Sequence, residues 1–147
     1  MLRESPTAFG ADYAESASRP LDHFRDRTRD EPENFILGAF IPDALVGSAG
    51  AFREETPKRR HIATVVGMYV HPEHRRRGIA AKLLNAVVER LERLHGLEQI
   101  QLSVTAGNEG ALSLYRQAGF EIYGREPAAL KVDGIDYDEL LLSRPCT

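Results

Sequence analysis

The sequence of 147 residues predicts an α/β or α+β fold, in which one mixed β-sheet packs against two principal helices. Several apolar, β-branched runs have the length of strands, and two segments carry apolar residues at helical spacing. Hairpin signals stand before the first of these helices and after the second, so antiparallel strand pairs are expected in both halves. We expect residues 1–147 to form a single domain, because this length is sufficient to bury a core.

The first strands precede the first helix. Residues 35–41 and 45–52 are apolar runs separated by a short turn that contains proline, which predicts a hairpin. Gly47 and Gly50 weaken the second run and indicate a β-bulge. Residues 62–70 form the most apolar and β-branched run, so we expect them to be a central strand.

Residues 78–94 form the strongest predicted helix, because apolar residues recur there every four positions. The residues of this stripe are Ile79, Leu83, Val87 and Leu91. Polar residues occupy the opposite face, so the helix is expected to pack on one side only. Gly96 is a natural stop for the helix, and residues 99–104 follow as a strand.

Asn108 is the expected N-cap of a second helix, which ends near Ala118 at a Gly-Phe pair typical of a Schellman motif. After this helix, short apolar runs flank Asp133-Gly134, a dipeptide typical of a two-residue hairpin turn. The strands predicted in this last part of the chain are residues 120–124, 128–132 and 135–142.

Composition and charge argue against several classes of protein. The formal net charge of −3 argues against nucleic-acid binding. Cys146 is the one cysteine and the five histidines are scattered, so we expect neither a disulfide nor a metal site. No apolar stretch is long enough to span a membrane, and the N-terminus does not resemble a signal peptide. We therefore expect a cytoplasmic protein with no metal, membrane or nucleic-acid partner.

Residues 71–80 join the predicted central strand to the long helix and read His-Pro-Glu-His-Arg-Arg-Arg-Gly-Ile-Ala. A helix start offers free backbone N–H groups and a positive dipole end. The arginines beside it add forked donors that carry a fixed charge. Three adjacent arginines alone are typical of a solvated loop, but the strand before them and the Gly-led helix after them favour a site for a phosphorylated ligand.

Two segments resemble the motifs of one enzyme family. Residues 68–80, with Arg-x-x-Gly-x-Ala at positions 75–80, resemble motif A of the GCN5-related N-acetyltransferase (GNAT) superfamily. Residues 108–120 are similar to motif B, with its Asn, Tyr and Gly-Phe in the expected order. One helix and one strand separate the two motifs, as in the family. The resemblance extends over residues 35–142, which we interpret as the core with the coenzyme site.

The resemblance implies an acetyl-CoA-dependent N-acetyltransferase with a GNAT-type central mixed sheet. Acetyl-CoA would lie between two splayed parallel strands, here residues 64–70 and 99–104. The helix start and the arginines would bind its phosphates, and the strand edge would pair with its pantetheine arm. An N–H near Met68 or Tyr69 would polarise the thioester carbonyl. The residues expected to contact the coenzyme are Met68, Tyr69, Val70, Arg75, Arg76, Arg77, Gly78, Ile79, Ala80, Ala81, Asn108, Ala111 and Tyr115.

Tyr115 matches the family's catalytic acid, which protonates the departing thiolate, and a phenol with a reference pKa of about 10 is protonated at neutral pH. The resemblance also implies that the amine attacks the thioester directly in a ternary complex. Many family members carry a glutamate early in the central strand as a base, but Thr64 aligns with it here. We therefore predict that a water relay removes the proton from the amine, and His61, His71 and Glu54 are further candidates for the base.

Family members usually begin with a strand and a helix, and this chain is expected to lack that strand and most of that helix. Residues 2–10 resemble the stretch that follows the helix. This favours either a start codon assigned too late or a truncated protein with an exposed sheet edge. We expect residues 1–34 to lie on the acceptor side. The acceptor stays open among polyamines, amino-acid-like amines, antibiotics, and protein N-termini or lysines.

The last strands, including Glu126-Pro127 and residues 131–134, are expected to shape the acceptor side or a homodimer contact. A non-catalytic acyl-CoA-binding or regulatory module is the alternative function, which the missing glutamate and the short N-terminus favour. RNA binding through the arginines is a third interpretation, and the acidic charge balance argues against it.

Overall fold

The structure, a computed structural model, describes residues 30–147 of the chain. In this range, six strands form one mixed sheet with two α-helices packed on it. Neither helix is long and apolar enough to cross a bilayer. The prediction that this chain lacks the family's first strand and most of its first helix falls on residues 1–29, which lie outside the described residues. The elements are β1 (Asn34–Ile41), β2 (Ala44–Arg53), β3 (Ile62–Val70), α1 (Ile79–Glu92), β4 (Gln99–Thr105), α2 (Glu109–Gln117), β5 (Glu121–Val132) and β6 (Ile135–Pro145).

The sheet is mixed because β3 and β4 are parallel, whereas the other neighbouring strands pair antiparallel. The strand order is β1-β2-β3-β4-β6-β5. The helix α1 joins β3 to β4, which is the kind of crossover that a parallel pair requires. The predicted mixed sheet with two helices is confirmed, and β3 is central as expected.

The glycines of β2 lie where neighbouring backbones approach closely. A Cβ on Gly47 would stand 2.9 Å from the carbonyl oxygen of Tyr69, and one on Gly50 would stand 2.9 Å from that of Phe35. The register between β1 and β2 shifts beside Gly47, so the predicted irregularity is confirmed there. The register between β2 and β3 also shifts, but the extra residue belongs to β3, where Gly67 has a φ of +63°. A bulge bends the strand that carries it, so β3 changes direction near Gly67.

The two helices share one hydrophobic core with the sheet. The predicted apolar stripe of α1 is buried from Leu83 onward, whereas Ile79 at the helix start is only half-buried. Ala63 and Val65 of β3 are buried in the same core. Because side chains alternate along a strand, Thr64 lies on the opposite face of the sheet, away from α1.

Both ends of α2 form as the sequence predicts. The Asn108 side chain accepts a hydrogen bond from the Ala111 N–H at 3.2 Å, which is the expected N-cap. Gly119 has a φ of +89°, and the Phe120 N–H donates to the carbonyl of Tyr115 at 3.0 Å. This pattern is the predicted Schellman motif, and it places Tyr115 in the last turn of the helix.

The strands β5 and β6 form the closing hairpin. Asp133 and Gly134 have φ values of +51° and +76°, as the predicted two-residue turn requires. The two short runs predicted before this turn are one strand, β5, which bulges around Ala128. Asp138 of β6 stabilises the bulge, because its carboxylate accepts hydrogen bonds from Arg125 Nε at 2.7 Å and the Ala128 N–H at 2.8 Å.

Candidate active site

The central feature of the candidate site is an opening between β3 and β4. The two strands pair only over residues 62–64 with residues 99–101, although β3 continues to Val70 and β4 to Thr105. Beyond the paired part, the edge of β3 that faces β4 is open to a ligand. An extended, amide-rich ligand can pair with such an edge as an added strand would. Three of the predicted coenzyme contacts, Met68, Tyr69 and Val70, lie in this part of β3.

A left-handed turn leads from the end of β3 into α1. Arg76 and Gly78 have φ values of +63° and +76°, and Gly78 is the N-cap of the helix. The Lys82 N–H donates to the Gly78 carbonyl at 3.1 Å, which is the first bond inside the helix. The three N–H groups before it have no partner within the helix. Together with the positive dipole end, they are a candidate anion site. These groups belong to Ile79, Ala80 and Ala81.

The three arginines of this turn have different surroundings. Arg75 Nε donates to the carbonyl of Val70 at 3.0 Å, and its guanidinium lies 6.0 Å from the centroid of the Tyr69 ring. Arg75 therefore ties the turn to the end of β3. Arg76 and Arg77 are exposed and form no ion pair with a described residue, so their charges are available to an anion.

Tyr115 is buried in the core at 7% exposure, with its ring edge-to-face against Phe120 at a centroid distance of 6.1 Å. The same core cluster contains Val65 and Val70 of β3 and Val104 of β4, which lie on both sides of the opening. Burial raises the pKa of Tyr115 to about 12. The phenol is therefore protonated at neutral pH and acts as a hydrogen-bond donor.

Asn108 and Ala111 stand at the start of α2. The carbonyl oxygen of the Asn108 side chain accepts the N–H of Ala111, so the amide NH₂ group is the part of this side chain that is open to a ligand. The same bond occupies the Ala111 N–H, so Ala111 offers a ligand its methyl group and not a backbone donor. The sequence could not separate capping from ligand contact, and the geometry allows Asn108 to do both.

Thr64 lies at the last paired position before β3 and β4 separate. Its hydroxyl Oγ1 is 3.5 Å from Oε1 of Glu54, which belongs to the loop after β2. The Glu54 N–H donates to the carbonyl of Ile62 at 3.0 Å and thereby anchors this loop beside β3. Of the candidate bases, the structure therefore brings Glu54 to Thr64.

The two histidine candidates are placed differently. His71 lies beyond the far end of β3, and its Nδ1 accepts a hydrogen bond from the Glu73 N–H at 3.2 Å. His61 is exposed, and its carbonyl accepts hydrogen bonds from the N–H groups of Glu98 and Gln99 at 2.8 and 3.0 Å. Neither imidazole has a described contact with Thr64.

A cleft of about 520 Å³ lies beside Glu54. Glu33 binds two arginines there, Arg53 at 3.0 Å and Arg60 at 2.8 Å, and the hydrogen bond from Arg60 is the main cause that lowers the pKa of Glu33. This ion-pair cluster is absent from the sequence prediction, since its members come from three separate segments. The cleft is lined by Glu31, Glu33, Asn34, Phe52, Arg53, Glu54, Glu55, Thr56 and Arg60.

Other nucleophiles and metal ligands contribute little to this region. Burial, together with the charge of Glu92, raises the pKa of the Cys146 thiol, so the reactive thiolate is disfavoured. In the part of the chain from residue 30 onward, no group of three or more His, Cys, Asp or Glu side chains is arranged to hold a metal ion.

A sheet that opens between two parallel strands, next to an anion-binding helix start, defines a protein class that can bind a long, amide-rich, phosphorylated ligand. The chain matches the Acetyltransferase (GNAT) family over residues 2–120. The protein therefore belongs to the GNAT family, and the family resemblance of its motifs is confirmed.

Two curated relatives are named N-acetyltransferases. The chain is 31% identical over 106 residues to the L-amino acid N-acetyltransferase AaaT of Escherichia coli (strain K12), covering 71% of this chain and 65% of that protein. It is 35% identical over 106 residues to the N-alpha-acetyltransferase RimI of Mycobacterium tuberculosis (strain H37Rv), covering 71% of this chain and 63% of that protein. The chain thus spans less than two thirds of the length of either relative.

Solved structures agree with the fold. A GNAT superfamily phosphinothricin acetyltransferase (Pat) from Sinorhizobium meliloti, in complex with AcCoA, matches with a TM-score of 0.79 and 25% identity, covering 98% of this chain and 78% of that one. The structure of yncA, a putative acetyltransferase from Salmonella typhimurium with acetyl-CoA, matches with a TM-score of 0.70 and 19% identity, covering 76% and 64%. The second likeness concerns the fold alone.

Proposed function

We propose that this protein is an acetyl-CoA-dependent N-acetyltransferase that transfers the acetyl group to a primary amine by direct attack in a ternary complex. The observation that carries the proposal is the separation of β3 and β4 directly before the anion site at the start of α1. The opening accepts an extended ligand, and the helix start accepts the phosphates of that ligand.

The length of the coenzyme fits this placement. Pyrophosphate would bind the N–H groups at the start of α1 together with Arg76 and Arg77, and pantetheine would run back along β3. The arm from phosphate to sulfur has about twelve bonds, as many as four extended residues, and so reaches about 14 Å. Counted back from Val70, the thioester comes to lie near Val66, just beyond the last paired residue, Thr64.

The reaction forms a C–N bond between the amine and the acetyl carbon and breaks the C–S bond. A β3 backbone N–H beside the thioester would stabilise the negative charge on the carbonyl oxygen, and the length of the arm favours an N–H closer to Val66 than the predicted donors Met68 and Tyr69. A proton transfer from Tyr115, with a pKa of about 12, to a thiolate of reference pKa about 8.5 would cost about 5 kcal/mol. We therefore assign to Tyr115 a hydrogen bond to the sulfur while its negative charge develops.

The relatives favour an acceptor with an α-amino group, since one is named for L-amino acids and another for N-alpha acetylation. The test combines titration calorimetry of acetyl-CoA with a thiol-release assay on a panel of L-amino acids, peptides with free N-termini and polyamines. Binding together with amine-dependent thiol release supports the proposal.

The second candidate is a non-catalytic acyl-CoA-binding module. The absence of a glutamate at Thr64 favours it. Acetyl-CoA binding without thiol release from any amine of the panel would establish this candidate and reject the transferase.

A further inference from the structure

We propose that Glu54 receives the proton of the attacking amine, through one water molecule, at the point where β3 and β4 separate. This inference rests on the proposed function and assigns a base to it. The carboxylate comes from the loop after β2 and not from β3 itself, and Thr64 positions it through the contact between Oγ1 and Oε1 at 3.5 Å.

The position of Glu54 along β3 is suitable for this role. The thioester is expected near Val66, and Thr64 is two residues earlier, about 7 Å along the strand. A carboxylate at this distance reaches the amine through a water molecule, which is a normal arrangement for a base. The amine proton passes to the water, and the water gives a proton to the carboxylate, which later releases it to solvent.

The face of the sheet also fits. Ala63 and Val65 are buried beneath α1, so Thr64 and Glu54 are on the opposite face. Tyr115 belongs to the core on the α1 side. The amine base and the donor to the sulfur thus stand on opposite sides of the thioester. In this arrangement the amine adds to the carbonyl carbon from the face of Glu54, and the thiolate leaves the tetrahedral intermediate beside Tyr115.

Glu54 forms one ion pair among the described residues, and that pair is long. Arg59 from the short helix Pro57–Arg59 approaches Oε1 only to 3.7 Å. Glu33 is in the same cleft, but it is held by Arg53 and Arg60, which are the two cations of the cleft lining. Glu33 is therefore committed to ion pairs.

The cleft lining as a whole is acidic. It has four carboxylates, those of Glu31, Glu33, Glu54 and Glu55, against two guanidinium groups, so its formal charge is negative. A protonated amine would be attracted to such a cleft before it loses its proton. Glu54 is the carboxylate of this lining that contacts Thr64 at the strand opening.

The test compares Glu54→Gln with Glu55→Gln, which removes an exposed carboxylate of the same cleft, and with the double variant Glu54→Gln/Thr64→Glu. Turnover of the best panel amine is measured against pH, and coenzyme affinity is measured by calorimetry. We expect Glu54→Gln to lower kcat about 100-fold, which is in the range of lost base catalysis. It should also remove the decline of kcat at acid pH, with acetyl-CoA affinity unchanged.

Glu55→Gln should raise only the KM for the amine, because the cleft loses one negative charge, and should keep the wild-type kcat and its decline at acid pH. The double variant should recover at least tenfold in kcat, because it restores a carboxylate at the strand opening. The proposal is wrong if the kcat of Glu54→Gln is within twofold of the wild-type kcat, or if its decline at acid pH is unchanged. A folded double variant no faster than Glu54→Gln overturns the placement at Thr64. A wild-type protein inactive with every amine rejects the proposed function itself, whereas an active wild type with an unaffected Glu54→Gln variant rejects only the base.

Discussion

A substitution of Gly78 allows the effect of backbone strain on stability and the effect on ligand binding to be measured separately. It is the N-cap of α1 with a φ of +76°, and a Cβ built on it meets no atom within 4 Å. The substitution Gly78→Ala therefore introduces no clash, and its cost is the left-handed conformation alone, about 1–2 kcal/mol. For a chain of this size, this corresponds to a decrease in melting temperature of about 2–8 °C.

Gly119 offers a matched control. It has a φ of +89°, and a Cβ at this position would likewise meet no atom within 4 Å, but Gly119 ends α2 and is not part of the proposed phosphate site. Gly119→Ala should lower the free energy of unfolding by a similar amount. We expect only Gly78→Ala to weaken acetyl-CoA binding as well, because relaxation of the left-handed turn moves the N–H groups of the helix start.

The assays are thermal unfolding by circular dichroism and calorimetric titration of acetyl-CoA. If Gly78→Ala binds acetyl-CoA as tightly as Gly119→Ala does, the helix start is not the phosphate site. If neither variant loses stability, the strain argument is wrong.

Four further outcomes are expected. Arg76→Ala and Arg77→Ala should each weaken acetyl-CoA binding about tenfold at low salt and less at high salt, measured by calorimetry. Arg75→Ala should instead lower the melting temperature, because it removes the bond to the end of β3. Tyr115→Phe should lower kcat about 10- to 100-fold with little change in acetyl-CoA affinity, by thiol release. Ion pairing lowers the pKa of Glu33 from 4.5, so the stability contributed by this ion pair is present above pH 4.5 and is lost as the pH falls below that value. The acid unfolding curve of Glu33→Gln should lack this contribution.

Several elements could be predicted because their causes lie within a few residues. The side chain of Asn108 caps the helix that starts beside it, and Gly119 ends that helix through its own backbone conformation. Asp133-Gly134 sets its turn in the same way. The stripe of α1 needed only its own helical spacing to be recognised.

The same reasoning could not assign separate roles to the three arginines or select the base among its candidates. Arg75 is committed to the end of β3 because its guanidinium folds back onto Val70 and Tyr69, a contact that depends on how the turn is bent. Glu54 and Thr64 are ten positions apart and meet only because the loop after β2 returns along β3. The two short predicted strands join into β5 around a bulge, and this bulge depends likewise on Asp138 in the neighbouring strand.

The amino-acid sequence by itself determined the mixed α/β character, the helix caps, the closing turn, and the two motifs that indicate the GNAT family. These features depend on side-chain type and on spacing along the chain. Only the tertiary structure decided where β3 and β4 separate, that β6 lies between β4 and β5, and which carboxylate stands at the opening. These features depend on strand pairing and packing between residues far apart in the chain, for which local spacing carries no signal.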